Sequence, residues 1–459
     1  MSFKLIFVPS DNGLHCLNLE TGLEVWRFID PYSYNLRCRT PAIDQENGFA
    51  YLQMNNRLFK IDIRIGTQIA TVTVLGQVYS GNTVLVNDTN GYFILAYYSK
   101  WEAYGGILQC YNADLTLRWQ VTGLNSSQKN SICYHNGIIY FGTGENYAQG
   151  QEIWYIGQLE DCRVNAYNII DGTVAWSTLL SNPPGKIFEA AGYGVNALIY
   201  VNGYIIVDER SSLITRNTFL YLLNATTGAI IRTLDCGGEY SACGLRAFSF
   251  GRYYMGDLVT NSLRVYQFGT GNKTDYYPFG TAQINTCEAD PNSLTALDPA
   301  ITYIGNIANG DQGSIVYNQV VYCCYGAGAV GIVSFDCDTL AFIRQFSIIE
   351  TWDSSPLVIQ NNAGTILILG HNYITKTTSC RKISDNTLLW NSEPNCEGNL
   401  IYGLNYYVIP TNKIKSIVIN GVGLADLKTK LDAWLLILKI IIDIKINNAC
   451  TQAIIFYYL

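Results

Sequence analysis

The chain has 459 residues, 29 Lys+Arg against 36 Asp+Glu, a formal net charge of -7, and 49% hydrophobic against 14% charged residues. Such a composition supplies a sizeable core and excludes an intrinsically disordered chain, while an acidic balance with no Lys/Arg block excludes a nucleic-acid binder that works by neutralising phosphates. Length alone allows about two to four ordinary domains, yet closed β architectures hold longer chains as one unit, so a single large repetitive domain is open.

In chain order, Met1–Pro9 carries one Lys, an apolar run too short for a signal h-region and no small-residue cleavage site. No secretory signal is expected, and the protein is read as cytoplasmic or part of an assembled particle. Next comes a unit that recurs along the chain: a short apolar alternation, an acidic or Asn/Thr turn, often a Gly, then a second alternation ending in Trp. Its clearest copy is Leu17–Trp26, turning at Thr21-Gly22, and a second runs from Val164 to Trp176 through Asp171-Gly172-Thr173. A third, Leu220–Ile231, turns at Thr227-Gly228 and lacks the closing Trp. Weaker copies end at Trp119 and Trp390 or centre on Gly66, Gly271 and Thr339, giving eight candidates at intervals of about 40 to 70 residues.

Each copy reads as a hairpin, because period-2 alternation flanks a turn where Gly supplies positive φ. A second apolar pair precedes most copies: Ile132–Phe141 around Asn136-Gly137, Ala197–Val207 around Asn202-Gly203, Ile315–Tyr322 around Asn318, and Leu357–Leu369 around Asn361-Asn362. Two hairpins make a four-stranded antiparallel blade, which must stack radially on its neighbours to bury its faces. Phe3–Trp26 supplies only about three strands, so a C-terminal strand should complete the first blade, from Tyr406–Ile409 or Ser416–Ile419.

Beyond closure, Ala433–Ile446 approaches a membrane-span composition but is interrupted by Lys439, Asp443 and Lys445. No span is expected. The alternation through Ile440, Ile442, Ile444 and Ile446, then Asn447-Asn448 and Ala453–Leu459, predicts a terminal strand pair. That pair is open to three readings: an added layer on the same fold, an assembly edge donated to another subunit, or part of a degenerate ninth blade around Leu424–Thr429. The predicted organisation is residues 1–420 as the repeat domain and 421–459 as a β extension.

These repeats resemble the PQQ-like repeat of quinoprotein-type β-propellers, which carries an aliphatic-Ala-aliphatic-Asp segment, Thr-Gly, and a Trp four residues on. The resemblance spans about residues 3 to 400 and implies an all-β, eight-bladed propeller, with seven or nine blades as alternatives. It also implies that Trp26, Trp119, Trp176 and Trp390 dock neighbouring blades, and that Gly22, Gly66, Gly172, Gly228 and Gly271 turn between outer strands. The same resemblance raises a calcium- and PQQ-dependent oxidoreductase with a vicinal disulfide. The chain does hold a vicinal pair, Cys323-Cys324, but within an apparent strand, where adjacent residues face opposite ways and two separate thiols are the simpler reading.

Other chemistry is sparse. The three His, His15, His135 and His371, fall in different repeats without metal-ligand spacing, and no phosphate loop, nucleophile elbow or dinucleotide fingerprint occurs. The run Gly326–Gly331 reads as a strand connection. The long interval Thr281–Gly313 carries Glu288, Asp290, Asp298 and Asp311 at spacings that fit no compact calcium loop. Of 14 Cys, most stand singly among apolar residues, as do Cys16, Cys110, Cys133 and Cys337, and read as buried thiols. The sequons at Asn87, Asn125, Asn224 and Asn272 read as chance in an Asn-rich chain. The 34 Tyr serve packing and, on loops, contact surface. The function expected is therefore a non-enzymatic scaffold for protein subunits, itself included, with a viral or filamentous particle as one setting. No cofactor is expected; the quinone-dependent oxidoreductase and a carbohydrate-binding propeller are the alternatives.

Overall fold

The computed structural model describes residues 3–32, 41–75, 81–98, 106–124, 132–143, 162–180, 194–210, 218–235, 247–257, 262–267, 295–296, 301–302, 314–325, 331–347, 357–372, 375–392, 405–409, 414–420, 441–446 and 452–458, apart from positions 11, 55, 202, 250, 251, 338 and 340. The described strands form an all-β propeller of four-stranded antiparallel blades. There are seven four-stranded sheets rather than the eight expected. In chain order between the fifth and sixth of them, residues 247–302 form a sheet of different make, whose third strand Ser262–Gln267 is flanked by two separate two-residue strands, Thr295–Ala296 and Ile301–Thr302. The outer hairpin there is interrupted by an insertion, so the regular four-strand count stops at seven. Gly271 and the acidic residues Glu288, Asp290, Asp298 and Asp311 lie outside the described residues.

Blade 1 runs, from the axis outward, Asn405–Ile409, Phe3–Ser10, Gly13–Asn18 and Glu24–Ile29. Blades 2 to 5 span 42–73, 81–124, 132–179 and 194–235, and blades 6 and 7 span 314–347 and 357–391. Of the two closing candidates, the first takes the role: Asn405–Ile409 pairs antiparallel with the first strand from Phe3↔Ile409 to Phe7↔Asn405. Tyr407 and Ile409 are buried in a core shared with blade 2 through Ile43, Leu52 and Ile61. Ser416–Ile419 belongs instead to a separate three-stranded sheet, ordered Ile414–Asn420, Gln452–Tyr458, Ile441–Ile446. Ile440 and the residues around Leu424–Thr429 lie outside the described residues. Among the described residues no helix is long and apolar enough to cross a membrane.

Inner and outer turns share one face of the ring. In blades 2, 4 and 5 the amide of the first residue after the third strand reaches its own blade's inner hairpin: Ile63 N–H bonds the Gly48 carbonyl at 3.2 Å, Ile169 that of Gly137 at 2.8 Å and Ala225 that of Gly203 at 2.9 Å. In blades 1 and 5 an Asn opens the outer turn and accepts backbone amides: Asn18 takes those of Glu20 and Thr21, and Asn224 those of Thr226 and Thr227. The sequon residue Asn224 thus has a turn-forming part. Between blades, alternating residues of facing sheets make the core, and among the described residues the five largest fully buried side chains are tyrosines: Tyr51, Tyr111, Tyr167, Tyr221 and Tyr407.

Closure by the C-terminal strand has a direct test. A chain ending at residue 404 lacks the inner strand of blade 1 and exposes its core, so it is expected to lose the cooperative thermal transition. A chain ending at 413 keeps that strand and is expected to retain the transition. Calorimetry on the two truncations reads the difference.

Candidate functional site at the seams and the rim

The residue two places after each outer turn begins the contact between blades. Trp26 of blade 1 donates its indole N–H to the Ile63 carbonyl of blade 2 at 2.9 Å, and Trp119 of blade 3 donates to Ile169 of blade 4 at 2.8 Å. Trp176 of blade 4 donates to Ala225 of blade 5 at 3.0 Å, and Trp390 of blade 7 to Leu19 of blade 1 at 2.9 Å, which joins the last blade to the first. In each case the ring lies over a glycine of the receiving turn. A Cβ at Gly22 would come 2.3 Å from Trp390, and one at Gly172 would come 2.6 Å from Trp119. Gly66 and Gly228 stand the same way under Trp26 and Trp176. These four glycines also have φ between 69° and 72°, so conformation and ring contact both demand a missing Cβ.

Three blades place another residue at the Trp position, and sequence reasoning missed what replaces it. In blade 6 it is Arg344, whose guanidinium donates to the Ile383 carbonyl of blade 7. In blade 2 it is Ala70; its cross-strand neighbour Lys60 donates to Ala113 O of blade 3 at 2.8 Å, and Tyr51 donates to the same atom at 3.2 Å. In blade 5 it is Arg232. The receiving turns follow suit. Blades 3 and 7, which receive no indole, place Leu115 (φ 70°) and Asn386 (φ 61°) in the left-handed conformation instead of glycine. An Arg in register with the missing Trp was the one signal in the sequence that marks this exchange.

Outside the seams the outer strands form the rim. In all seven four-stranded blades the register between the third and outer strands slips by one residue just before the seam position. The extra residue is Val25, Ile69, Arg118, Ala175, Ile231, Ile343 or Leu389. A bulge on an edge strand twists it away from casual pairing. Five of the seven bulge residues are large aliphatics, and all five are exposed. Neighbouring outer-strand positions add Phe342 at 59% exposure, Val174 at 57% and Leu23 at 65%. Edge strands of soluble proteins are ordinarily blunted by charge; here the rim presents apolar side chains around the ring, a pattern of contact surface.

The polar interior is arranged for structure. Cys16, Cys110, Cys133, Cys337 and Cys380 are buried, and burial pushes the thiols of Cys110 and Cys380 up to about 12. Such thiols are poor nucleophiles. Cys323 and Cys324 occupy successive positions of one strand, opposite Val333 and Ile332, and their side chains lie outside the description. Among the described residues no group of three His, Cys, Asp or Glu comes together to hold a metal ion. His135 stacks on Tyr200 across the seam of blades 4 and 5 with ring centroids 3.7 Å apart. His15 donates its Nδ1–H to Glu24 Oε2 at 2.8 Å, and His371 Nδ1 faces Thr378 Oγ1 at 3.5 Å.

His371 is buried at the seam of blades 7 and 1, and burial, with His15 and Lys376 nearby, lowers its pKa to about 3. The unfolded chain protonates this imidazole near 6.5 while the fold keeps it neutral, so its contribution is whole above that value and is lost as pH falls toward 3. The slope in that window is at most roughly 1.4 kcal/mol per pH unit, and His135, also lowered by burial, acts in the same direction. Urea unfolding at pH 7 and pH 4.5 is expected to show a clear loss for the native chain and a smaller loss for His371→Gln.

No family model matches the chain, and no curated protein does. Solved structures do. The quinohemoprotein alcohol dehydrogenase from Comamonas testosteroni superposes with a TM-score of 0.52 at 13% identity, over 80% of this chain and 69% of that one. The quinohemoprotein alcohol dehydrogenase ADHIIG from Pseudomonas putida HK5 gives 0.51 at 11% identity, over 80% and 68%. The dihydro-heme d1 dehydrogenase NirN gives 0.51 at 10% identity, over 85% and 72%. At these identities the likeness is one of fold: the chain has the quinoprotein-type propeller architecture.

Proposed function

We propose that this chain is a non-enzymatic propeller scaffold that holds other protein subunits, with the rim as its contact surface. The observation that supports this reading is the recurrence of exposed aliphatics at the rim bulges, at Val25, Ile69, Ile231, Ile343 and Leu389. Scattered single apolar residues on a surface need no explanation; the same exposure at the same structural position in blade after blade does. Burial of one such side chain by a partner is worth about 1.5–3 kcal/mol, so a few of them suffice for a stable contact.

A photo-crosslinking residue placed at Ile343 is expected to capture a discrete protein in the native cell, identified by mass spectrometry. Phe342→Glu on the same strand is expected to reduce that capture about tenfold to a hundredfold, in line with the loss of one buried aromatic anchor. Uniform, unspecific labelling at the rim, or stoichiometric uptake of calcium and PQQ in titration calorimetry, contradicts the reading.

A further inference from the structure

We propose that the chain self-associates through one edge of its C-terminal sheet, two copies joining their Ile441–Ile446 strands antiparallel about a twofold axis at Ile444. The proposal rests on the interaction reading above and names the partner: a second copy of this chain.

Three observations carry it. First, Ile441–Ile446 is an end strand of its three-stranded sheet, and among the described residues no strand pairs with its other side. Three strands are few for a sheet, and joining two copies edge to edge gives a continuous sheet of six, within the usual range. Second, the strand is self-complementary in charge. Antiparallel pairing centred on Ile444 sets Asp443 opposite Lys445 of the copy, and Lys445 opposite Asp443, while Ile444 meets Ile444 and Ile446 meets Ile442. Opposite charges directly across a ladder stabilise it and like charges destabilise it. A twofold interface requires this kind of self-complementarity, since each position meets its mirror in the register. The other end strand, Ile414–Asn420, has Lys415 as its only charge and offers no such pairing. Third, the pairing register with Gln452–Tyr458 slips between Ile441 and Asp443, leaving Ile442 as an extra residue and Asp443–Ile446 as the regular stretch. The regular stretch is the part that holds both charges and the central Ile444, so the slip fixes where a second strand can align.

The topology makes the edge reachable. The sheet begins at Ile414, five residues after Ile409 closes blade 1, so it starts within about 18 Å of the turn face. It is joined to the ring by chain alone in the strand pairing.

Light scattering and sedimentation velocity on the full chain test the proposal. The native protein is expected at twice 51.1 kDa. Asp443→Lys alone and Lys445→Asp alone each set like charges across the axis and are expected to sediment as single chains, with circular dichroism spectra matching the native one. Mixing these two variants restores opposite charges and is expected to restore the doubled mass; so is the double swap D443K/K445D. A doubled mass that survives both single reversals, or a mixture that stays monomeric, overturns the edge assignment and leaves the scaffold reading standing. A native protein of single-chain mass overturns self-association, while the rim is judged separately by its crosslinking result.

Discussion

One residue in six of the seven four-stranded blades holds the ring together, the one that follows the third strand: Leu19, Ile63, Ala113, Ile169, Ala225 and Ile383. Its carbonyl accepts a hydrogen bond from the preceding blade, from an indole, a guanidinium, or a lysine with a tyrosine. At Ile63, Ile169, Ala225 and Ile383, its amide also bonds inward to the blade's own inner hairpin, and at Leu19 it bonds the Lys4 carbonyl on the neighbouring strand. A buried carbonyl left without a donor costs about 1–3 kcal/mol, so each blade needs its neighbour to supply one. Packing of alternating side chains gives bulk stability, but it is indifferent to small sliding motions of sheet on sheet. The clamped peptide fixes the angular register of each blade on the next.

The rest of the architecture follows from that clamp. The donor must reach across the seam from the outer strand, and the one-residue bulge just before it turns the strand so that the seam residue faces the next blade while the bulge residue faces outward. Exposure of the aliphatics at Val25, Ile69, Ile231, Ile343 and Leu389 is thus tied to the device that closes the seams. A charged residue at the bulge would serve the clamp equally well, as Arg118 shows in blade 3 by bonding the Ile170 carbonyl of the next blade. The preference for aliphatics at the other positions therefore asks for a reason beyond the fold, and a partner on the rim is that reason. The closing seam carries polar contacts as well: Glu20 accepts from Asn361 and Asn362, Lys4 bonds the Gln360 carbonyl, and His15 and His371 sit close by. These contacts join blade 7 to blade 1, the blade that the strand Asn405–Ile409 completes.

Much of this was legible in the sequence because propeller blades advertise themselves through local rules. The paired hairpins around Asn136-Gly137, Asn202-Gly203 and Asn318 appear as read, since turn chemistry and period-2 alternation are local. Trp26, Trp119, Trp176 and Trp390 stand at seams over Gly66, Gly172, Gly228 and Gly22. What was hidden were long-range substitutions of one donor for another. Arg344 in place of Trp, and Lys60 with Tyr51 in place of both, preserve an acceptor rather than a residue type, and a motif search for residue types passes over them. The count of eight failed for a related reason: the copy around Gly271 has the spacing of a repeat, but an insertion separates the third strand from Thr295–Ala296 and Ile301–Thr302, and regular pairing needs more than spacing. The bulge, too, is invisible in a single sequence, because it concerns which residue of a pair of apolar neighbours is left out of the ladder.

The central claim, that the seam hydrogen bond fixes each blade on its neighbour, is best tested by hydrogen exchange in Trp176→Phe. The substitution keeps an aromatic ring at the seam and removes the N–H that bonds Ala225 O together with part of the indole ring that covers Gly228. The account predicts that amides of the turn from Asn224 to Ala229 exchange roughly ten- to a hundredfold faster, as an orphaned carbonyl implies, while those of the outer turn of blade 2, on the far side of the ring, keep their native rates. Unchanged exchange at Asn224–Ala229 would contradict it and leave side-chain packing as the force that sets the register of the ring.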